Sequence, residues 1–296
     1  WCSQKITPSS SQGGESPGKR KVGLCWALPY DPTSSHGDTR PNALRFWFLP
    51  MKKRSRVKRL ARFVLRGGRR RVGAAGPLKN SPRYVLFDFD GTLGDTFLQG
   101  FEILNILAGE FGFRPLPHGD LQYARDLSTS GLMKHLGISR MKLHKISKRG
   151  TEEIGKRIDS VQSFEGVPEM VRQLHAAGFR LGVLTSNSEE NVRAFLKKHQ
   201  LELFDFIESS SKLLGKSSVL RKLMKKRQLQ PREILMIGDE IRDIEAAQET
   251  GVHIAAVTWG YNSRSALEEA APDYLFESPA QVLEFLAAWP PENSAK

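Results

Sequence analysis

Asp88 and Asp90 stand two residues apart in VLFDFDGTLGDT, residues 85 to 96, at the end of an otherwise apolar run. Residues two apart in a strand project to the same side, so the pair is expected to point together from the strand's carboxyl end, where Gly91 lets the chain turn. A carboxylate attacking a phosphate dianion meets like-charge repulsion, which a hard divalent cation held by oxygens removes while aligning both groups. Suitable partners lie beside other apolar runs. TSNSEENV brings Ser186 and Asn187 to a helix start, LLGKSSVL places Lys216 at another, and IGDEIRDIEAA carries Asp239, Glu240 and Asp243.

The chemistry that needs this set is phosphoryl transfer. Asp88 is the expected nucleophile, forming an aspartyl phosphate, and Asp90 the acid that protonates the leaving oxygen and then takes a proton from water. Ser186, the amides from Asn187 onward and Lys216 are expected to hold the non-bridging phosphate oxygens, together with Thr92 of the turn. The metal is assigned to Asp88, Asp90 and Asp239, and Asp243 is expected to orient Asp239 or a metal-bound water. A carboxylate set, with no close pair among the seven histidines, selects Mg²⁺ over zinc. Each residue also has a plainer reading: Asp before Gly as a turn, Ser or Asn as a helix cap, Lys216 as a solvated lysine, and Glu240 and Asp243 as acids favoured in a first helical turn. Their joint occurrence at successive strand ends favours the chemistry.

The elements that must position them are legible as alternating patterns. Apolar runs YVLFDF, RLGVLTS, FDFIES, EILMIG and HIAAVTW read as strands, and amphipathic patterns begin near Pro168, Glu189, Lys216, Ile241 and Ser263. This predicts an α/β fold, a Rossmann-like parallel sheet with helices on both faces, whose ligands bind beyond the strands' carboxyl ends. Between Asp95 and Arg180 only helical signals occur, far more chain than a crossover needs. An all-helical cap inserted after the first strand is therefore expected, over residues 96–164, with the core formed by residues 81–95 and 165–290. Trp259-Gly260-Tyr261 reads as loop and core packing, and Lys134, His135, Lys142, His144 and Lys145 as a solvated basic face.

Charge divides the chain. The 296 residues carry a net +13, of which residues 1–50 hold +3 and residues 51–84 hold +13, leaving −3 for residues 85–296. Residues 1–80 thus read as a basic leader, disordered or weakly helical. Val57, Leu60, Ala61 and Val64 fall on one helical face, ended by Gly67-Gly68, and such a segment is suited to an anionic membrane or nucleic acid. Met51 is the expected start, with residues 1–50 outside the native coding sequence. Cys2 and Cys25 both lie in the leader, which excludes a disulfide framework or a thiol nucleophile in the domain. A cytoplasmic protein is expected, or an organellar one if the leader is a transit segment. No apolar run approaches the ~18 residues of a membrane span.

DFDGTLGDT, VLTSNS, the lysine of LLGKSS and the acidic IGDEIRD resemble the four ordered motifs of the haloacid dehalogenase superfamily, over residues 83–288. The helical insert resembles the small cap of the phosphoglycolate phosphatase-like branch. The resemblance implies a Rossmann-like core, Mg²⁺ dependence, an aspartyl-phosphate intermediate and a cap that closes over the substrate. It further implies that Asp88 and Asp239 bind the metal by side chain and Asp90 by its backbone carbonyl. The chain departs from the pattern at Ser217, where many members have Pro, at Gly94, where a bulkier residue is usual, and at Glu240 beside the metal aspartate; these weaken any assignment to phosphoglycolate itself. The expected function is a Mg²⁺-dependent phosphatase acting on a small phosphorylated metabolite. The alternatives are a phosphomutase or a catalytically weak binding protein that works through its leader. A dehalogenase has no leaving alkoxide to protonate, and Asp90 argues against it.

Overall fold

The structure is a computed structural model that describes residues 81–209 and 215–289. The expected start at Met51 and the basic helix around residues 57–64 lie outside the described residues. In chain order the strands are β1 (Tyr84–Phe87), β2 (Gly94–Asp95), β3 (Gln162–Ser163), β4 (Arg180–Thr185), β5 (Phe206–Ser209), β6 (Ile234–Gly238), β7 (His253–Val257) and β8 (Tyr274–Phe276). Six of them form a parallel sheet in the order β5-β4-β1-β6-β7-β8.

Helices cover both faces, and the sequence shows why. Alternate strand residues bury on opposite sides, so Val85 and Phe87 join one cluster while Tyr84 and Leu86 join another. The cluster around Val85 and Phe87 is completed by residues 167–176, 189–198 and 279–287, whose apolar positions recur at helical spacing. Val219, Leu220, Leu223, Ile244 and Ala247 close the other face. A strand buried on both sides must be apolar throughout, which makes the carboxylate that follows Phe87 conspicuous. Fully burying each large apolar side chain contributes about 2 kcal/mol, so Phe87, Phe89 and Phe195, all buried, anchor the sheet beside that carboxylate.

The chain runs from β1 outward through β4 to β5, then returns across β1 to β6 and continues to β8. The direction reverses at β1, and this places a crevice at the carboxyl ends of β1, β4 and β6. The reading of the sequence omitted β8, whose three residues are too few for a periodic signal.

The helices, in chain order, are α1 (Phe97–Phe111), α2 (Leu121–Arg125), α3 (Thr129–His135), α4 (Leu143–Gly155), α5 (Val167–Ala176), α6 (Glu189–Lys198), α7 (Gly215–Arg227), α8 (Ile241–Thr250), α9 (Arg264–Glu269) and α10 (Pro279–Ala287). The insert consists of α1 to α4, with short 3₁₀ turns, around its own small clusters, one formed by Ile103, Leu107, Ile146 and Ile154. At its neck the structure adds what the sequence did not reveal, a two-stranded antiparallel ribbon pairing Gly94 with Ser163 and Asp95 with Gln162. Gly94 suits that neck by its size, because a Cβ there would sit 3.2 Å from the Phe89 ring. Among the described residues no helix is long and apolar enough to cross a membrane.

Candidate active site

Asp88 immediately follows β1 and is fully buried, its amide still donating to Ile237 O of β6 at 2.9 Å. Its Oδ1 accepts from the Phe89 amide at 2.7 Å, and its Oδ2 lies 2.5 Å from Lys216 Nζ. Lys216, in the first turn of α7, is equally close to Asp243 Oδ1 in the first turn of α8, at 2.5 Å. One buried ammonium thus ties three elements together. Burial alone pulls the Lys216 ammonium toward neutrality, but Asp243 and Asp88 outweigh it and hold the pKa above the ordinary lysine value.

Asp239, at the end of β6, is held from two sides: Thr92 Oγ1 donates to Oδ1 and the Tyr261 amide to Oδ2, both at 2.7 Å. Gly91 makes this approach possible. Its φ of +77° suits glycine, and a Cβ there would fall on Asp239 Oδ2. Oxygens of Asp88, Asp239 and Asp243 lie within 4.8 Å of one another, all buried. Burial, then the neighbouring charges of Glu240, Asp88 and Asp243, push the Asp239 carboxyl well above the usual carboxylate range. Arg242 and Lys216 are too few to neutralise these carboxylates, and a cluster of hard oxygens carrying excess negative charge fits a divalent cation.

The expected metal ligands are Asp88 and Asp239 by side chain and Asp90 by its backbone carbonyl; the side-chain carboxylates that the structure gathers are Asp88, Asp239 and Asp243. The Asp90 side chain instead turns to Asn187 Nδ2, which lies 3.1 and 3.2 Å from its two oxygens. Asp88 and Asp90 therefore end in different surroundings, while the intervening Phe89 points into the core and packs edge-on against Phe195 at 5.0 Å. Burial raises the Asp90 pKa, partly offset by hydrogen bonds from Thr96 and Asn187. Thr92, expected to bind phosphate, gives its hydroxyl to Asp239, and Asp243, expected to orient Asp239 or a metal-bound water, pairs with Lys216 and accepts from the Glu240 amide.

A cavity of about 290 Å³ opens beside Asp90. Its core wall includes Asp90, Ser186, Asn187, Glu240, Arg242 and Tyr261, and the insert supplies Leu107, Leu136, Ile146, Ile154, Arg125 and Thr151. Asp88 and Asp239 are not themselves on this wall, but Asp90 and Glu240, two residues and one residue further along the chain, are. The loop after β7, read from sequence as packing, contributes to the site: Tyr261 holds Asp239, Trp259 Nε1 donates to Thr92 O at 3.2 Å, and Asn262 Nδ2 bonds the insert's Arg125 O and Leu127 O. No local periodicity marks such residues. Of Lys134, His135, Lys142, His144 and Lys145, read from sequence as a basic face, Lys142 donates to Phe111 O and none lines the cavity.

A family model for haloacid dehalogenase-like hydrolases matches residues 85–257, a span that runs from β1 through Asp88, Lys216 and Asp239 to the end of β7. The chain belongs to that family. This hydrolase is 35% identical over 201 residues to a phosphoglycolate phosphatase of Synechococcus elongatus, covering 68% of this chain and 95% of the relative. It is 28% identical over 213 residues to the pyrophosphatase PpaX of Bacillus cereus, covering 69% and 95%. In fold it is similar to a predicted phosphatase from Clostridium acetobutylicum, with a TM-score of 0.61 at 22% identity, covering 71% of this chain and 99% of that one. With phosphatases as its relatives, the hydrolase is of the phosphoric monoester type.

Proposed function

We propose that the protein is a Mg²⁺-dependent phosphatase that hydrolyses a small phosphate monoester through an aspartyl phosphate on Asp88. The observation that carries this reading is the grouping of Asp88 with Lys216 and with the carboxylates of Asp239 and Asp243, two residues before an Asp90 that faces a cavity. Bound among Asp88, Asp239 and the Asp90 backbone carbonyl, Mg²⁺ would offset the charge of the carboxylates and of the phosphate. Lys216, Ser186 and the amides at the start of α6 are the groups available for the phosphoryl oxygens.

An Asp88 oxygen bonds to phosphorus as the ester P–O bond breaks, and that bond's electron pair goes to the leaving oxygen. Asp90 gives the leaving oxygen a proton. Its raised pKa suits this role, since a carboxyl that keeps its proton can donate it. Asp90 then recovers a proton from the water that attacks the aspartyl phosphate, releasing inorganic phosphate and restoring Asp88.

The relatives are named for phosphoglycolate and pyrophosphate. The cavity, about 290 Å³ and walled largely by leucines and isoleucines of the insert, suits a leaving group of similar modest size. The test is turnover of phosphoglycolate, pyrophosphate and simple phosphate monoesters, with and without Mg²⁺, beside Asp88→Asn. Metal-dependent release of phosphate that Asp88→Asn abolishes is expected; a wild-type rate in that variant contradicts the reading.

A further inference from the structure

Asn191 sits in the first turn of α6, only 8% exposed, with its backbone amide capped by Ser188 Oγ. A buried side-chain amide is costly unless it finds hydrogen-bond partners, and its partners here lie in two different parts of the molecule. Its Nδ2 donates to Thr151 O of α4, in the insert, at 3.0 Å and to Asn187 Oδ1 at 2.8 Å. Asn187 Oδ1 also accepts from the Ser188 amide at 2.8 Å, and Asn187 Nδ2 faces the Asp90 carboxyl. The orientation of both amides follows from these neighbours. A flipped Asn187 would set its oxygen against Asp90 and its nitrogen against the Ser188 N–H, and a flipped Asn191 would meet two acceptors with an acceptor.

The bonds form a line from the insert to the acid: Thr151, Asn191, Asn187, Asp90. The insert's side of the line is tightly fitted. A Cβ on Gly155, the last residue of α4, would lie 2.7 Å from Asn191 Oδ1. Glycine is a poorer helix former than alanine, so its presence at the point where α4 meets Asn191 answers to space.

We propose that Asn191 is a positioning residue that makes the orientation of Asp90 depend on the seating of α4 against the core. The inference rests on the role of Asp90 as the acid of the proposed reaction. Asn191 touches no reacting atom; it holds the Asn187 amide in the one orientation that presents N–H to Asp90. Misplacing Asp90 withholds the proton from the leaving oxygen, and this matters in proportion to how much the leaving group needs one. A merely structural Asn191 would instead affect all esters alike.

The experiment compares wild type, Asn191→Asp and Gly155→Ala on 4-nitrophenyl, phenyl and benzyl phosphate, three esters of similar size whose leaving groups need increasing protonation. Asn191→Asp keeps the shape and removes both donors. Gly155→Ala disturbs the line from the insert through the close approach to Asn191, and because alanine favours helix α4, melting curves should show only a small net change in stability. In both variants kcat on benzyl phosphate is expected to fall about ten-fold further than kcat on 4-nitrophenyl phosphate, with KM little changed. Equal losses on all three esters, or none, would overturn the proposal while leaving the phosphatase assignment standing. A wild type that hydrolyses none of them overturns both.

Discussion

Thr92 Oγ1 donates to Asp239 Oδ1 at 2.7 Å, joining the turn after β1 to the end of β6 across 147 residues of chain. Both residues are fully buried, so the hydroxyl fixes the direction in which Asp239 presents its oxygens. Thr92→Val keeps the shape and removes the bond. The Mg²⁺ concentration for half-maximal activity should rise about ten-fold or more, as for other residues that orient metal ligands, while kcat at saturating metal recovers most of its value. A raised KM with unchanged metal dependence would return Thr92 to the phosphate-binding role expected from sequence.

Gly91→Ala should be costly in two ways, because φ is +77° and the new Cβ would displace Asp239 Oδ2. Backbone strain of this kind alone costs about 1–3 kcal/mol. Chemical denaturation should register at least that loss, and metal-dependent activity should fall with it.

Asn262 anchors the insert to the core. Buried at 5% exposure, it donates to Arg125 O and Leu127 O and accepts from the Ile241 amide. Asn262→Ala leaves these groups without it, and a stability loss of about 2 kcal/mol is expected. Limited proteolysis should then cut within residues 113–128 sooner than in wild type. An unchanged cleavage pattern would show that other contacts suffice to hold the insert.

Glu153 on α4 predicts a pH signature. Lys156, then Arg157 and Arg149, hold its carboxyl down from the ordinary 4.5 to about 2. A depressed folded-state pKa contributes stability that is present above about pH 4.5 and is lost as pH falls toward 2. Glu153→Gln should therefore lower Tm at neutral pH, and the gap to wild type should narrow through that acidic window. A gap independent of pH would assign the role of Glu153 to packing.

Much of the core was legible because the carboxylates interrupt strands that are otherwise apolar. Asp88 and Asp239 stand out for that reason, and their strand-end positions follow from the parallel sheet alone; Lys216 is marked instead by its place at a helix start. The polar groups that orient them were not legible. Thr92 reads as a phosphate-binding residue of the turn rather than as a support for Asp239, Asn191 as an ordinary polar position of an amphipathic helix, and Tyr261 and Asn262 as loop. Their partners are 147, 40, 22 and 137 residues away respectively, and no periodicity encodes pairings at that range. The same limit explains Asp243. Its spacing from Asp239 suggested mutual support, but Lys216, brought in by α7, lies nearer.

In the proposed reaction the phosphoryl group passes through Asp88, and acid-quenched turnover detects it there. The enzyme is mixed with a good phosphate ester and Mg²⁺, stopped within one turnover, treated with borohydride to reduce any acyl phosphate, and its peptides are weighed. Reduction confined to Asp88, and absent in Asp88→Asn, is the expected result. Steady hydrolysis with no modified residue at Asp88, or with the label on another side chain, would contradict it.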